Sequence, residues 1–466
     1  MTAIESLPRH SSAALADVAL QALSANPSAA FVALPVPPDL IHPLVREAGL
    51  EGLRAASTIT WEQPSEGVRL FGIGQALRLR GSRDAALADA RTETLAAPVA
   101  RAEGLDPAAR PRFFGGCRFE PNTEPIDHAW EPFGGWQFVL PRLLIAITDS
   151  GAFGSVCVPA AEAHDAVSLG PWLDRNLHCR PDTKTNHATR PQPSTTGAGL
   201  EPEAWKDAVA RAVNEIRGGA FDKVVLARRS ECEAAEDIDP AAVLGTLAER
   251  YPGCRIFSFR AGDSTWLGAS PELLVALEAG TVRAASLAGS RPRGDNPLSD
   301  QRLAEELLDS AKERAEHGFV VSAIAGALAP VCSQVDMPPA PSLMRMANIQ
   351  HLYTPVTGVV RPGVDILDLV GRVHPTPAVG GWPREVSFET IRRLEQMDRG
   401  WYAAPIGWVD LDGEGEFAVA LRSARIAGPR ATLFAGAGIV AGSIPEEELA
   451  ETELKFRPLR EALKRS

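Results

Sequence analysis

After residue 202 the hydrophobic pattern of this chain keeps changing its period, and that constrains the fold more than any single motif does. "EPEAWKDAVARAVNEIRGG" sets Trp205, Val209, Val213 and Ile216 on one stripe at helical spacing, and Gly218 and Gly219 end it. The next segment, "FDKVVLARRS", is a run of β-branched and aliphatic residues that reads as a buried strand opened by Lys223. Further on, "CRIFSFR", "STWLGA", "EFAVALRSARI" and "ATLFAGAGIV" read as strands, and about 300–329, 384–396 and 445–465 as helices. This mixture lacks the βαβ rhythm of a doubly wound sheet. It predicts an α+β fold, with mixed sheets covered by helices.

The chain divides by composition into 1–180, 181–202 and 203–466. In the first part "LRLRGSRDAALADA" reads as a strand end, a turn and a helix, and "PRFFGGCRF" as a glycine-marked strand. "WQFVLPRLLIAIT", residues 136–148, reads as two strands with Pro141 at an edge or bulge. Residues 181–202 are polar, rich in Pro and Thr, and without periodicity, so they read as a linker or mobile loop.

Of the 466 residues, 45% are hydrophobic and 23% charged, as in a water-soluble globular chain long enough to bury its own core. A net charge of −12 without a basic stripe argues against nucleic acid as a partner. The six cysteines show no CxxC pair and no zinc-ligand spacing, which predicts reduced, buried thiols in a cytoplasmic protein. The opening "MTAIESLPRHSS" has no apolar core of a secretory leader, and no apolar run has the length of a membrane span, so no membrane partner is expected.

Several residues could do chemistry. Lys223 is one, because a lysine is rarely taken out of water without a reason. It reads either as a snorkelling strand-start lysine or as a group whose charged form is disfavoured by burial, leaving an amine free to take a proton. In "GASPELLVALE", Ser270 and Pro271 fit the cap and first position of a helix, which puts Glu272 in its first turn. There it is either a carboxylate favoured by the helix dipole or a general acid on a rigid turn. In "SAKERAEHGFVV", late in the long helix, Glu313 and Glu316 share a face. They form a solvated acidic face or a site for a hard cation.

In "SIPEEELAETELK", Ser443 and Glu446 fit a capping box, and Glu448, Glu451 and Lys455 line one helix face. That strip follows a Gly-rich turn at Gly436 and Gly438, where a backbone can approach a ligand. Arg422 is a basic residue in an apolar strand run, suited to a buried ion pair or to a bidentate clamp on a carboxylate. His351 and His374, taken singly, read as structural.

Taken together and in order, "FDKVVLARR", "GASPELL", "SLAGSRPRG", "SAKERAEHGFVV", "IQHLYTPVTG", "HPTPAVGGWPRE", "FAVALRSA", "LFAGAGIV" and "ETELK" resemble the chorismate-utilising enzymes. Within that family they are most similar to the isochorismate synthases. The resemblance covers about 203–460 and implies a large single-domain fold, of which 1–180 would be the variable N-terminal part.

It implies Mg²⁺-assisted displacement of the 4-hydroxyl of chorismate by a nucleophile arriving at C2, with water as the nucleophile. Lys223 matches the general base and Glu272 the general acid. Glu316 and Glu451 match the Mg²⁺ carboxylates, with Glu313 and Glu448 as outer ligands through water. Arg422 and Lys455 match the groups that hold the substrate carboxylates, helped by backbone N–H groups near Gly289 and Gly436. His351 and Ala378 match positions lining the ring pocket.

Within the family, a lysine at 223 separates the chain from anthranilate synthase, which has glutamine there. The Pro-Ile-Lys-Ala-Gly motif of aminodeoxychorismate synthase is absent. The rival is salicylate synthase, which goes on to eliminate pyruvate. A large single domain with an acidic surface suits a monomer, and the resemblance implies no glutaminase subunit; it leaves open a place in menaquinone, siderophore or salicylate synthesis.

Overall fold

The computed structural model describes residues 18–19, 21–120, 127–162, 192–194, 201–346 and 349–465. The helical stripe after residue 202 forms Pro202–Arg217, with Trp205, Val209, Val213 and Ile216 buried. Pro202 occupies its first turn, where a missing N–H costs nothing. The lysine strand follows as Lys223–Glu233.

Two large sheets organise the described residues, one of 13 strands and one of 10. In the larger sheet Lys223–Glu233 lies beside Arg430–Ile439, which leads through Ser423–Ala427 and Ser264–Ser270 to Arg255–Ala261 and on to N-terminal strands. In the smaller sheet Ile349–Val360, Thr281–Pro292, Leu273–Glu278, Gly415–Val419 and Pro405–Asp410 are successive neighbours. These ladders are antiparallel, whereas Phe31–Val36 pairs with Val99–Arg101 in parallel, so the larger sheet is mixed. The α+β expectation holds.

The described residues up to 162 contribute strands to both sheets. Ile59–Gln63 pairs with Arg255–Ala261 in the larger, and Arg112–Cys117 with Pro405–Asp410 in the smaller. The close approach expected at "FFGG" is real, because a Cβ on Gly115 would lie 1.9 Å from the Gln137 carbonyl oxygen. One hydrophobic core takes side chains from both sheets, including Phe113, Phe138 and Phe417 from the smaller and Trp61, Trp266 and Phe434 from the larger. Trp130 and Trp266 meet edge to face at 5.0 Å within it, an arrangement that aromatic quadrupoles favour.

Four local expectations change. The two strands in "WQFVLPRLLIAIT" are Trp136–Leu140 and Leu143–Thr148, but they belong to different sheets, and Pro141 stands where the chain crosses between them. A residue without an N–H suits a crossing that has no ladder to join. The long helix at 300–329 is two helices, Pro297–Asp309 and Ala311–Leu328. Ser310 caps the second by accepting the Glu313 N–H at 3.3 Å, so "SAKERAEHGFVV" opens a helix and does not lie late in one.

Ser443 does not cap the last helix, which is Pro445–Leu463. It stands one residue too early, and its hydroxyl accepts the Val440 N–H at 3.1 Å instead. Of residues 181–202, Gln192–Ser194 pairs with the outer edge of the lysine strand and Pro202 opens a helix; most of the segment lies outside the described residues. The cysteines at 117, 157, 232, 254 and 332 are buried and free, and Cys179 lies outside the described residues. No helix among the described residues is long and apolar enough to cross a membrane.

Candidate active site

Lys223 begins its strand with 1% of its surface exposed. It is not an isolated amine, because Nζ donates to Glu316 Oε1 at 2.7 Å. Gly438, on the neighbouring strand, makes the room. A Cβ there would come within 2.8 Å of Glu316 Oε1 and 3.2 Å of Lys223 Cε. The two arginines after Lys223 part to opposite sides, Arg228 towards Thr452 and Glu453, Arg229 to Asp127 at 2.9 Å.

Glu272 is not in a helix. Ser264–Ser270 ends in the larger sheet, Leu273–Glu278 begins in the smaller, and Ser270, Pro271 and Glu272 are the crossing. The Ser270 hydroxyl donates to the Val419 carbonyl at 2.5 Å and accepts the Glu272 N–H at 3.2 Å. "LLVALE" could enter a helix or a strand, and the partner strands Gly415–Val419 and Thr281–Pro292 decide it. The Glu272 side chain is buried, and burial pushes its carboxyl up to about 8 against the pull of Lys223 and Lys455. At neutral pH it therefore carries its proton.

The carboxylates read as metal ligands sit on two helices, Glu313 and Glu316 on Ala311–Leu328, Glu448 and Glu451 on Pro445–Leu463. Three are in ion pairs: Glu316 with Lys223, Glu451 with Lys455 at 2.6 Å, and Glu313 with Arg291 at 3.1 Å. Burial, and then the neighbouring Glu451, push Glu448 up to about 7 against the pull of Ser443, Lys312 and Lys455. Burial, then the neighbouring Glu316, raises Glu313. Burial also opposes ionisation of Glu451, but Lys455 with Arg422 and Lys312 together outweigh it and hold that carboxyl low. Among the described residues no three His, Cys, Asp or Glu side chains are gathered closely enough to form a finished metal cage.

The cationic groups stand opposite. Arg422 lies outside the strand predicted for it, in the turn between Gly415–Val419 and Ser423–Ala427, at a φ of 48°. Its carbonyl accepts the Ala269 N–H at 3.1 Å, and its guanidinium is buried with no carboxylate in ion-pair range among the described residues. A buried guanidinium without a counter-ion is poised for an anion. Lys455 donates to the Gly436 carbonyl at 2.7 Å.

Gly289 sits at a bulge with φ 80°, where a Cβ would be 3.0 Å from Glu313 Oε2. His351 hydrogen-bonds Ser290 through Nδ1 at 2.8 Å, while its buried Nε2 has no partner among the described residues. Burial, Arg422 and Lys455 push its ring down to about 3, so it is neutral.

A cavity of about 470 Å³ gathers these groups. Glu272, Gly289, Glu313, Glu316, His351 and Ala378 are on its wall, and so are Arg422, Gly436, Glu448, Glu451 and Lys455. Lys223 is one layer back, with Gly438 and Glu316 in front of it. His374 is away from the wall and hydrogen-bonds the Phe119 carbonyl at 3.3 Å. The wall also holds Tyr402, Arg399 and Lys312, which the sequence reading missed. Nothing in "DRGWYAAP" marks Arg399 and Tyr402 as pocket residues, since no periodicity runs through that turn.

A sequence profile of the family described as chorismate binding enzyme matches residues 18–464. The chain belongs to that family. Its relatives include the salicylate biosynthesis isochorismate synthase of Pseudomonas aeruginosa, 39% identical over 88% of this chain and 85% of the relative. The isochorismate synthase MenF of Bacillus subtilis is also 39% identical, over 76% of this chain and 75% of its own. Among solved structures, the menaquinone-specific isochorismate synthase MenF of Escherichia coli superimposes with a TM-score of 0.75 at 25% identity, covering 97% of this chain and 99% of that one.

Proposed function

We propose that the chain converts chorismate to isochorismate by adding water at C2 and expelling the 4-hydroxyl. The observation that carries this reading is Glu272, a buried carboxyl that keeps its proton to about pH 8 in the same cavity as the unmatched guanidinium of Arg422. An acid that can protonate a leaving hydroxyl at neutral pH has to be of this kind. Two carboxylates of the substrate would be held by Arg422 and Lys455, and the neutral His351 and Ala378 would border its ring. Lys223, as a neutral amine released from its pair with Glu316, would take the proton of the attacking water. The double bonds shift round the ring as the C2–O bond forms and the C4–O bond breaks, and Glu272 gives its proton to the departing oxygen.

The four helix carboxylates fit a hard divalent cation. They offer only oxygen and they face one cavity, where burial first, and then the neighbouring carboxylates Glu451 and Glu316, raise Glu448 and Glu313. Glu316 and Glu451 would hold Mg²⁺, with Glu313 and Glu448 beyond through water. A bound Mg²⁺ would stabilise negative charge on the ring carboxylate of the substrate. Buried free thiols suit a reducing, cytoplasmic setting.

The test is incubation of the protein with chorismate and Mg²⁺, without ammonium, with products resolved by chromatography and proton NMR. A chorismate–isochorismate equilibrium that fails in chelator supports the reading. Salicylate with pyruvate would assign the elimination as well, and no conversion would overturn the proposal.

A further inference from the structure

Among the described residues, strands cover only the two ends of the lysine strand's second edge. Arg430–Ile439 pairs along one side of Lys223–Glu233. On the other side Gly381–Trp382 pairs with Val224 and Lys223, the Val225 N–H donates to the Gly380 carbonyl at 2.9 Å, and Gln192–Ser194 pairs with Glu231, Cys232 and Glu233. Between them two side chains do the work of a strand. Glu395 Oε1 accepts the Ala227 N–H at 2.7 Å, and Arg399 Nη2 donates to the Val225 carbonyl at 2.8 Å. Arg399 also donates from Nη1 to the Val379 carbonyl at 2.8 Å and from Nε to Glu395 Oε2 at 2.9 Å. Its guanidinium lies over the Phe119 ring at 4.3 Å, and its carbonyl accepts the Tyr402 N–H at 2.9 Å. Both side chains of the pair are buried.

A buried ion pair is often no more stabilising than apolar side chains of its volume. Apolar side chains could not bond three backbone groups, however, and buried backbone groups must be bonded. The pair thus joins the strand that carries Lys223, the loop that carries Ala378 and the turn that carries Tyr402. We propose that Glu395 and Arg399 are positioning residues that fix the lysine strand in register with the ring-binding loop, and so hold Lys223 in line with the cavity. This role in turnover rests on the isochorismate synthase reading.

Two variants and one measurement on the unaltered protein test it. Arg399→Lys keeps the charge and loses the fork that reaches both Val379 and Val225. It is expected to lower kcat about 100-fold per folded molecule, the usual cost of a small misplacement. The KM for chorismate is expected to change far less than kcat, since Arg422 and Lys455, the groups proposed to hold the substrate carboxylates, are unaltered. Glu395→Gln keeps an oxygen for the Ala227 N–H and is expected to retain most of kcat.

Equal kcat per folded molecule in Arg399→Lys, with only a lower melting temperature, would overturn the positioning role. Should the variants not fold, amide hydrogen exchange of the full-length protein decides, read at single residues by mass spectrometry. The Ala227 amide is expected to exchange as slowly as those of Leu226 and Arg228, which face the paired strand. Fast exchange at Ala227 alone would overturn the proposal. That readout does not depend on turnover, so a protein that fails to convert chorismate refutes the reaction and leaves the exchange result standing.

Discussion

Lys223 and Glu316 form a 2.7 Å ion pair with Gly438 packed against both of its members. A carboxylate proposed for a metal and a lysine proposed as a base are thus each other's partner. Lys223→Ala is expected to lower kcat by about 10²–10⁴, the usual range for a general base. Circular dichroism should show the fold retained. Turnover near that of the unaltered protein would remove Lys223 from the mechanism.

The Glu272 carboxyl sets a pH limb whose sign is fixed. It must be protonated to act, and burial raises it to about 8, so kcat/KM should fall as pH climbs through that value. The same shift predicts a stability change. A folded-state value above the ordinary 4.5 gives stability that is full below pH 4.5 and is lost as pH rises through about 8. Glu272→Gln should abolish turnover at every pH and flatten that part of the stability curve. A profile without the alkaline limb would place the acid elsewhere.

Arg422 is buried with no carboxylate in ion-pair range among the described residues, so its loss should be felt chiefly in binding. Arg422→Ala is expected to raise the KM for chorismate roughly 10- to 100-fold, the scale of a charge-assisted hydrogen bond. Steady-state kinetics at fixed Mg²⁺ would show it, and an unchanged KM would reject the clamp.

Glu451 shares its charge with Lys455. Glu451→Ala is expected to weaken Mg²⁺ binding roughly tenfold or more, by analogy with the loss of groups that support a metal site. Calorimetric titration without substrate would measure this directly. An unchanged titration would take Glu451 out of the ligand set.

Gly438 offers a purely steric check. Alanine there would bring a Cβ within 2.8 Å of Glu316 Oε1. Gly438→Ala should separate the Lys223–Glu316 pair and lower kcat by about tenfold or more, since small misplacements are costly. Its melting temperature should fall only slightly. Full activity in this variant would mean that the pair need not be held in place.

The mixed α+β class was legible because the apolar period changes between 3.6 and 2 along the chain. The helix stripe of Trp205, Val209, Val213 and Ile216 was legible as well. Ser270-Pro271-Glu272 misled, because the same three residues suit a helix start and a crossing between sheets. "FAVALRSARI" read as one strand because nothing in an arginine signals a positive φ, yet Arg422 adopts one. The helix break at Ser310 has no Gly or Pro to mark it. The Glu395–Arg399 pair was out of reach for another reason, since its partners Val225 and Ala227 are backbone groups distant in sequence. The residues on the cavity wall came from resemblance to a family. Spacing by itself left Glu316, Arg422 and Glu451 open between structural and chemical roles.

The interleaving of the N-terminal strands has a practical consequence for anyone who dissects the chain. A fragment of 203–466 would keep every motif that marks the family. It would also leave Arg255–Ala261 and Pro405–Asp410 without the partners that Ile59–Gln63 and Arg112–Cys117 provide. Two internal ladders would become raw edges, and raw edges recruit other chains. Such a fragment would be complete as a vocabulary and adhesive as a molecule.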